Sequence, residues 1–286
     1  MEHLAPSLDA AATAAQDEAG SLRAWLSGFE RVFVLTGAGC STASGIPDYR
    51  DADGQWKRTP PVTYQAFTGD ALVNARYWAR SFVGWPRIGL AQPNAAHLAL
   101  ARWQRAGRLS QLVTQNVDGL HQRAGSEAVI DLHGCLDEVV CLSCSARELR
   151  ASLQQRLHDG NPDWVRLSAA TAPDGDADLD GLDFAAFRVP ACQVCGGMLK
   201  PDVVFFGENV PRVRYEAARA ALENSDAVLV VGSSLMVYSG FRFVRQAHER
   251  GLPVAIVNRG QTRADDLACL KLDVDCAAVL PQALGG

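Results

Sequence analysis

The segment Arg31–Arg50, RVFVLTGAGCSTASGIPDYR, decides how the rest of the chain is read. Its apolar run Val32–Leu35, closed by Thr36, predicts a short buried strand, and Gly37-Ala38-Gly39 turn the chain at its end. Glycines at such a turn let the backbone approach a pyrophosphate, and Ser41 and Thr42 are placed to cap a helix whose N–H groups would face the anion. A full dinucleotide fingerprint wants a third glycine where Thr42 stands, and no strand-ending acid is obvious about twenty residues later. A plain turn with no ligand therefore stays open as the alternative for this stretch alone.

Outward from this segment, 286 residues with 48% hydrophobic content suffice to bury a substantial core. A formal charge of −5 argues against nucleic acid as the main partner, and no apolar run is long enough to span a bilayer. Residues 1–20 are Ala-rich and acidic and resemble neither a secretory signal nor a presequence, so they predict a frayed or disordered extension of a cytoplasmic protein. Eight cysteines in such a chain point to metal or redox chemistry before disulfides.

A helix is predicted over 21–30 ahead of the first strand. Residues 51–65, DADGQWKRTPPVTYQ, suit a long functional loop, and residues 66–90 place apolar and aromatic side chains at helical spacing, which predicts core packing. Pro93-Asn94 open a helix through Trp103. Strand-like and helix-like segments then alternate, which implies a parallel, doubly wound sheet with ligands beyond the carboxyl ends of its strands. Gly37 follows the first strand, Gln115-Asn116-Val117-Asp118 follow LSQLVT, and His133-Gly134 follow AVIDL. Gly207-Glu208 follow DVVFF, Gly232-Ser233-Ser234 follow AVLVV, and Asn258-Arg259-Gly260 follow PVAIV. Six strands ending this way are expected to share one rim of one sheet and one site.

Cys141-Leu142-Ser143-Cys144 and Cys192-Gln193-Val194-Cys195 are two CxxC knuckles. Four thiolates can close a tetrahedral zinc site with no open position, so the expected zinc is structural. A thioredoxin-like role for either pair alone would leave the other unused. The remaining Cys40, Cys135, Cys269 and Cys276 are expected to be buried small hydrophobes. Asp176–Gly181 imitates the opening of a calcium loop, but Phe187 stands where a bidentate Glu is required, so an acidic solvated loop is expected there.

GAGCSTASGIPDYR, QPNAAH, TQNVDGLHQRAG, DLHG, the two cysteine pairs, KPDVVFFGE, GSSLMVYSG and VNRG together resemble, in order, the sirtuin family of NAD-dependent protein deacylases. The wording around KPDVVFFGENVP, VYSGFRF and TRADDLACLKL is most similar to the class II, lipoamidase-type branch. The resemblance implies a Rossmann-like large lobe (21–48, 91–134, 200–286) and a small lobe made of a helical and loop cofactor-binding insertion (49–90) and a zinc module (135–199). It implies that Gly37, Ala38 and Gly39 hold the pyrophosphate of NAD, and that Asp48, Tyr49 and Arg50 lie in a mobile cofactor loop. Gln115, Asn116, Val117 and Asp118 match residues around the nicotinamide and its ribose. Gly232, Ser233, Ser234, Asn258, Arg259, Gly260 and Cys276 match the adenosine side, and Cys40 replaces the usual Ile or Val.

In the family's reaction the acyl-lysine oxygen attacks the ribose carbon as nicotinamide departs, and a His then deprotonates a ribose hydroxyl; His133 matches that base, and the resemblance implies Asn116 as the second catalytic residue. Substrate peptide is implied to add as a strand between Val203–Gly207 and Gly232–Val237, with Val204, Phe206 and Gly207 against the acyl-lysine. Tyr77 and Arg80 have the spacing of an acid-acyl pair, although core packing of Tyr77 and a solvated Arg80 serve as well. The expected protein is a monomer acting on acyl-lysine proteins or peptides. Mono-ADP-ribosyl transfer and a non-catalytic NAD- or zinc-binding module are the rival functions.

Overall fold

In the computed structural model, which describes residues 8–51, 53–57, 60–165 and 182–285, every residue of strand β1 (Val32–Thr36) is buried. It pairs in parallel with β2 (Leu109–Thr114) on one side and β7 (Ala227–Val231) on the other. Beyond them lie β3 (Ile130–Asp131) next to β2, and β8 (Val254–Val257) then β9 (Leu270–Leu272) next to β7. The strand order reverses between β1 and β7, so the connections that follow them leave to opposite sides and a crevice opens beyond their carboxyl ends.

The period-two alternation within β1 sorts its side chains between two cores. Val32 and Val34 face a cluster with Leu112, Leu229 and Val257, covered by helices α1 (Leu8–Leu26), α4 (Ala95–Arg105) and α9 (Cys276–Leu284). Phe33 and Leu35 face the other cluster, with Val230, Ile256 and Phe243, under α7 (Arg212–Glu223) and α8 (Tyr238–Glu249). The helix expected over 21–30 instead starts earlier and stops sooner, running from Leu8 to Leu26 with Ala19, Leu22 and Leu26 buried. Asn94 caps α4 through a reciprocal box with His97, as its sequence suggests.

One strand differs from expectation. DVVFF does not enter the parallel sheet; β6 (Leu199–Val203) ends within it and pairs antiparallel with β4 (Gly134–Cys141), which also pairs with β5 (Arg147–Leu149). The sixth parallel strand is instead β9, a three-residue segment too short to show a period. A third core joins this small sheet to α2 (Tyr64–Gly69), α3 (Ala71–Leu90) and α6 (Arg150–Gly160), and in it Phe67, Tyr77, Trp78 and Phe205 pack edge to face. The short helix α5 (Leu120–Arg123) completes the set. The calcium-like segment 176–181 lies outside the described residues, while Phe187 is buried against Phe82 and Trp164. No helix among the described residues is long and apolar enough to cross a membrane.

The two strand ends at the crevice touch backbone to backbone. Gly39 N–H donates to Gly232 O at 2.8 Å, and Gly232 adopts φ +58°, where an added Cβ would stand 2.2 Å from the Cys40 nitrogen. Gly232→Ala is therefore expected to cost about 3 kcal/mol or more, read as a lowered midpoint in denaturant unfolding; an unchanged midpoint would contradict this contact.

Candidate active site

A cavity of about 880 Å³ fills the crevice between the two sheets. Its wall includes Gly37, Ala38, Gly39, Asp48, Tyr49 and Arg50 from the first segment, and Gln115, Asn116, Val117, Asp118 and His133 from the ends of β2 and β3. Gly232, Ser233, Ser234, Asn258, Arg259 and Cys276 line the part beyond β7 and β8, and Tyr77, Val204, Phe206 and Gly207 the part facing the small lobe. Two expected members are elsewhere. Gly260 turns the chain away, its N–H donating to Asp273 and its carbonyl accepting from Lys271, and Arg80, a turn beyond Tyr77 on α3, does not line the cavity.

The glycine turn is fixed by polar side chains, not by a capped helix. Residues 38–40 and 42–44 form two single 3-10 turns with no side-chain cap, which corrects the capping expected of Ser41 and Thr42. The Ser41 hydroxyl donates instead to Asp118 Oδ2 at 2.7 Å, and the Thr42 hydroxyl to Gly39 O at 3.0 Å. Asn116 Nδ2 donates to Gly37 O and Ser41 Oγ, each at 3.0 Å, and Gln115 Nε2 donates to Ser233 Oγ at 2.8 Å. This network joins the ends of β1, β2 and β7. Across the cavity, the loop after Gly45 folds on itself: Arg50 stacks over Trp56 at 4.0 Å, Trp56 meets Tyr49 and Phe206 edge to face, and Lys57 pairs with Asp48.

His133 follows β3 and faces the cavity. Its Nδ1–H donates to the Gln115 carbonyl at 3.0 Å, which leaves Nε2 as an acceptor for the Ser239 hydroxyl at 2.7 Å. Desolvation, opposed by the Gln115 carbonyl and reinforced by Arg214, lowers the imidazole to about 4. It is neutral near pH 7, with a basic nitrogen toward the cavity. Ser239 was not singled out from the sequence, although it stands inside GSSLMVYSG; only the fold brings the start of α8 to His133.

Two further imidazoles lie behind the turn. His97 is lowered to about 4 and His121 well below 6.5, both chiefly by burial. His121 Nε2–H donates to Thr36 Oγ1 at 2.9 Å, whose hydroxyl in turn donates to Thr114 Oγ1 at 2.8 Å. Of the four cysteines expected as buried hydrophobes, Cys40 and Cys276 are buried, Cys135 is half-buried and Cys269 is exposed, accepting from Trp25 Nε1 at 3.2 Å.

At the far end of β4, the sulfurs of Cys141, Cys144, Cys192 and Cys195 lie within 4.8 Å of one another. The Cys141–Cys195 and Cys144–Cys192 separations, 3.5 and 3.8 Å, match the spacing of about 3.8 Å that Zn–S bonds of about 2.3 Å impose on a tetrahedron. Ser143 N–H points at Cys141 Sγ, and any side chain at Gly197 would strike Ser143 and Cys141. These residues fit a closed structural zinc.

The Sir2 family profile matches residues 37–239, and the chain belongs to that family. It is 61% identical over 264 residues to an NAD-dependent protein deacetylase of Bordetella bronchiseptica, covering 92% of this chain and 96% of that one. To the mitochondrial NAD-dependent protein lipoamidase sirtuin-4 of Homo sapiens it is 50% identical over 255 residues, 88% of this chain and 81% of the other. A solved structure of Sir2 bound to acetylated peptide superposes with a TM-score of 0.71 at 29% identity, covering 91% of this chain and 94% of that chain.

Two outcomes follow for solution measurements. Because His97, His121 and His133 are held neutral when folded but titrate near 6.5 when unfolded, the unfolded chain binds more protons below that value. Stability should be full above about pH 6.5 and fall as pH drops toward 4; a melting temperature flat over that range would contradict the burial of these rings. Stripping the metal with a chelator should collapse the β4–β5–β6 end of the small lobe, seen as lost amide protection there and then as lost activity; a well-folded, fully active metal-free protein would overturn the structural role.

Proposed function

We infer that this protein is an NAD-dependent protein-lysine deacylase that moves the acyl group from a lysine side chain onto ADP-ribose and releases nicotinamide. NAD is the cosubstrate of the family, and the glycine turn, Asn116, Asp118 and the rim beyond β7 and β8 give one cavity a place for its pyrophosphate and both riboses. Bound there, NAD supplies the electrophilic ribose carbon.

The hydrogen bonding of His133 carries the catalytic assignment. With Nδ1–H anchored on a backbone carbonyl, Nε2 holds a lone pair toward the cavity and can take a proton from a ribose hydroxyl, which then becomes the acyl acceptor. Ser239, which now occupies that lone pair, is placed to hand it over to the ribose hydroxyl. Asn116 orients the glycine turn through Gly37 O, and Asp118 does so through Ser41.

The acyl-lysine peptide is assigned to the opening between residues 203–207 and 232–237, both of which line the cavity. Val204 N–H already donates to His133 O, so this stretch is tied to the base it would serve. Val204 and Phe206 supply apolar walls for the acyl chain. Tyr77 packs at 5.2 Å against both Phe67 and Phe205, which suits an apolar wall; with Arg80 away from the lining, an acidic acyl group gains no counter-charge from that pair. A cytoplasmic location fits this role, since the thiols of the two cysteine pairs suit a reducing compartment.

Purified protein with NAD should convert acyl-lysine peptides to free lysine, nicotinamide and O-acyl-ADP-ribose, resolved by mass spectrometry over a panel of acetyl, lipoyl, succinyl and long-chain acyl groups. His133→Ala is expected to lower turnover by about 100- to 10,000-fold while the fold persists. Transfer of ADP-ribose to protein without O-acyl-ADP-ribose, or retained turnover in the variant, would sink the assignment.

A further inference from the structure

Cys40 and Cys276 are used by neither the zinc site nor the proposed acyl transfer. Cys276 opens α9 and lines the cavity, whereas Cys40 sits directly behind the glycine turn with no exposed surface. Cys276 Sγ points at Gly39 O at 3.6 Å, on the peptide that leads into Cys40, and the neighbouring Cys276 thiol, together with burial, holds the Cys40 thiol well above its usual value. Both belong to the core formed by α1, α4 and α9.

A buried metal is the first alternative for this corner, since Cys40, His97 and His121 also gather within 4.8 Å. The capping of α4 argues against it. His97 Nδ1 accepts the Asn94 N–H, so the proton of the neutral ring is on Nε2, the nitrogen 3.9 Å from Cys40 Sγ. That nitrogen has no lone pair for an ion; it can only present N–H to the sulfur. The corner is suited to thiol chemistry.

We propose that Cys276 and Cys40 form a peroxide-reactive thiol pair in the floor of the cofactor cavity, with Cys276 as the sulfur attacked and Cys40 as the sulfur that closes a disulfide. Of the two, Cys276 alone is reached from the cavity. A hydroperoxide transfers its distal oxygen to the Cys276 sulfur, giving the sulfenic acid and water (or an alcohol). Cys40 then attacks that sulfur; the S–O bond breaks, the Cys40 proton leaves with the departing hydroxide as a second water, and the S–S bond forms. Two electrons pass from the thiols to the peroxide. His97 Nε2–H faces Cys40 Sγ and stabilises the negative charge that develops there as it attacks.

The link would tie α9 to a turn that cannot move to meet it, because Gly39 and Cys40 are already pressed against Gly232. The adjustment therefore falls on the first turn of α9, where Asp275 and Cys276 line the cavity. Oxidation should raise the KM for NAD, and bound NAD should shield Cys276.

The test is brief peroxide treatment of the zinc-loaded full chain, followed by peptide mapping without reductant and by a colour assay for released zinc. The proposal expects a Cys40–Cys276 cross-link before zinc is lost, formation slowed at least tenfold by saturating NAD, and recovery of NAD affinity with dithiothreitol. In Cys40→Val no link can form, so Cys276 should gain oxygen in its place, and the NAD-binding readout in that variant should no longer recover fully with dithiothreitol once the higher oxides form. The proposal is overturned if both thiols stay reduced while the zinc cysteines oxidise, or if the link forms equally fast with NAD bound. Because the cross-link is read on the protein itself, failure of the deacylase assignment would leave this result interpretable.

Discussion

The contact between Gly39 and Gly232 is the constraint on which the site depends. It brings the ends of β1 and β7 within one backbone hydrogen bond at the point where the strand order reverses. A side chain cannot be accommodated at Gly232, and at Gly37 an added Cβ would lie 2.7 Å from Ser233 Cβ. The turn after β1 thus has the 227–231 strand end as its mould. Polar side chains then finish what the glycines begin: Gln115, Asn116 and Asp118 reach the turn from β2 through Ser233, Gly37 O and Ser41. A phosphate-binding turn is usually backed by a helix N-terminus. Here its rigidity comes from three strand ends locked to one another.

That construction explains which parts of the site were legible in the sequence. Residues that follow long apolar strands, such as Gly37, Asn116 and Gly232, could be placed on one rim because strand periodicity and the parallel-sheet rule suffice. The cysteine knuckles were legible because their chemistry is written in their spacing. DVVFF misled because an apolar run gives no sign of which sheet it joins; β6 takes its partner from β4, far away in sequence, and stops at Val203. β9 escaped notice because three residues carry no period. Ser41 and Thr42 look like helix caps, yet tertiary partners at Asp118 and Gly39 outcompeted the local role. Ser239 beside His133, and Cys276 beside the Gly39–Cys40 peptide, are distant in sequence from their partners, and only the fold makes them neighbours.

The neutral histidines show what burial contributes to chemistry. A solvated imidazole near 6.5 would be partly protonated at neutral pH and a poor acceptor. Desolvation lowers His133 to about 4, and the Gln115 carbonyl selects the tautomer with Nε2 free for Ser239 or a substrate hydroxyl. A weaker base results, but one in the accepting form at neutral pH, as the proposed proton transfer from a ribose hydroxyl would require.

The zinc end of the small lobe, though outside the cavity, bears on this base through one strand. β4 begins at Gly134, next to His133, and ends at Cys141, a knuckle residue. At its start the backbone approaches β6 so closely that an added Cβ at Gly134 would stand 1.8 Å from Asp202 O, and Val204 N–H closes the next step by donating to His133 O at 2.7 Å. Arg214, whose charge helps hold His133 neutral, donates to Asp202 on the same β6 strand. A metal that clamped Cys141 to Cys195 would hold the far end of the β4–β6 pair, whose near end carries the contacts around the His133 imidazole. A four-thiolate ion has no open coordination site, so it would bear on the proposed chemistry by holding the strand that leads to His133.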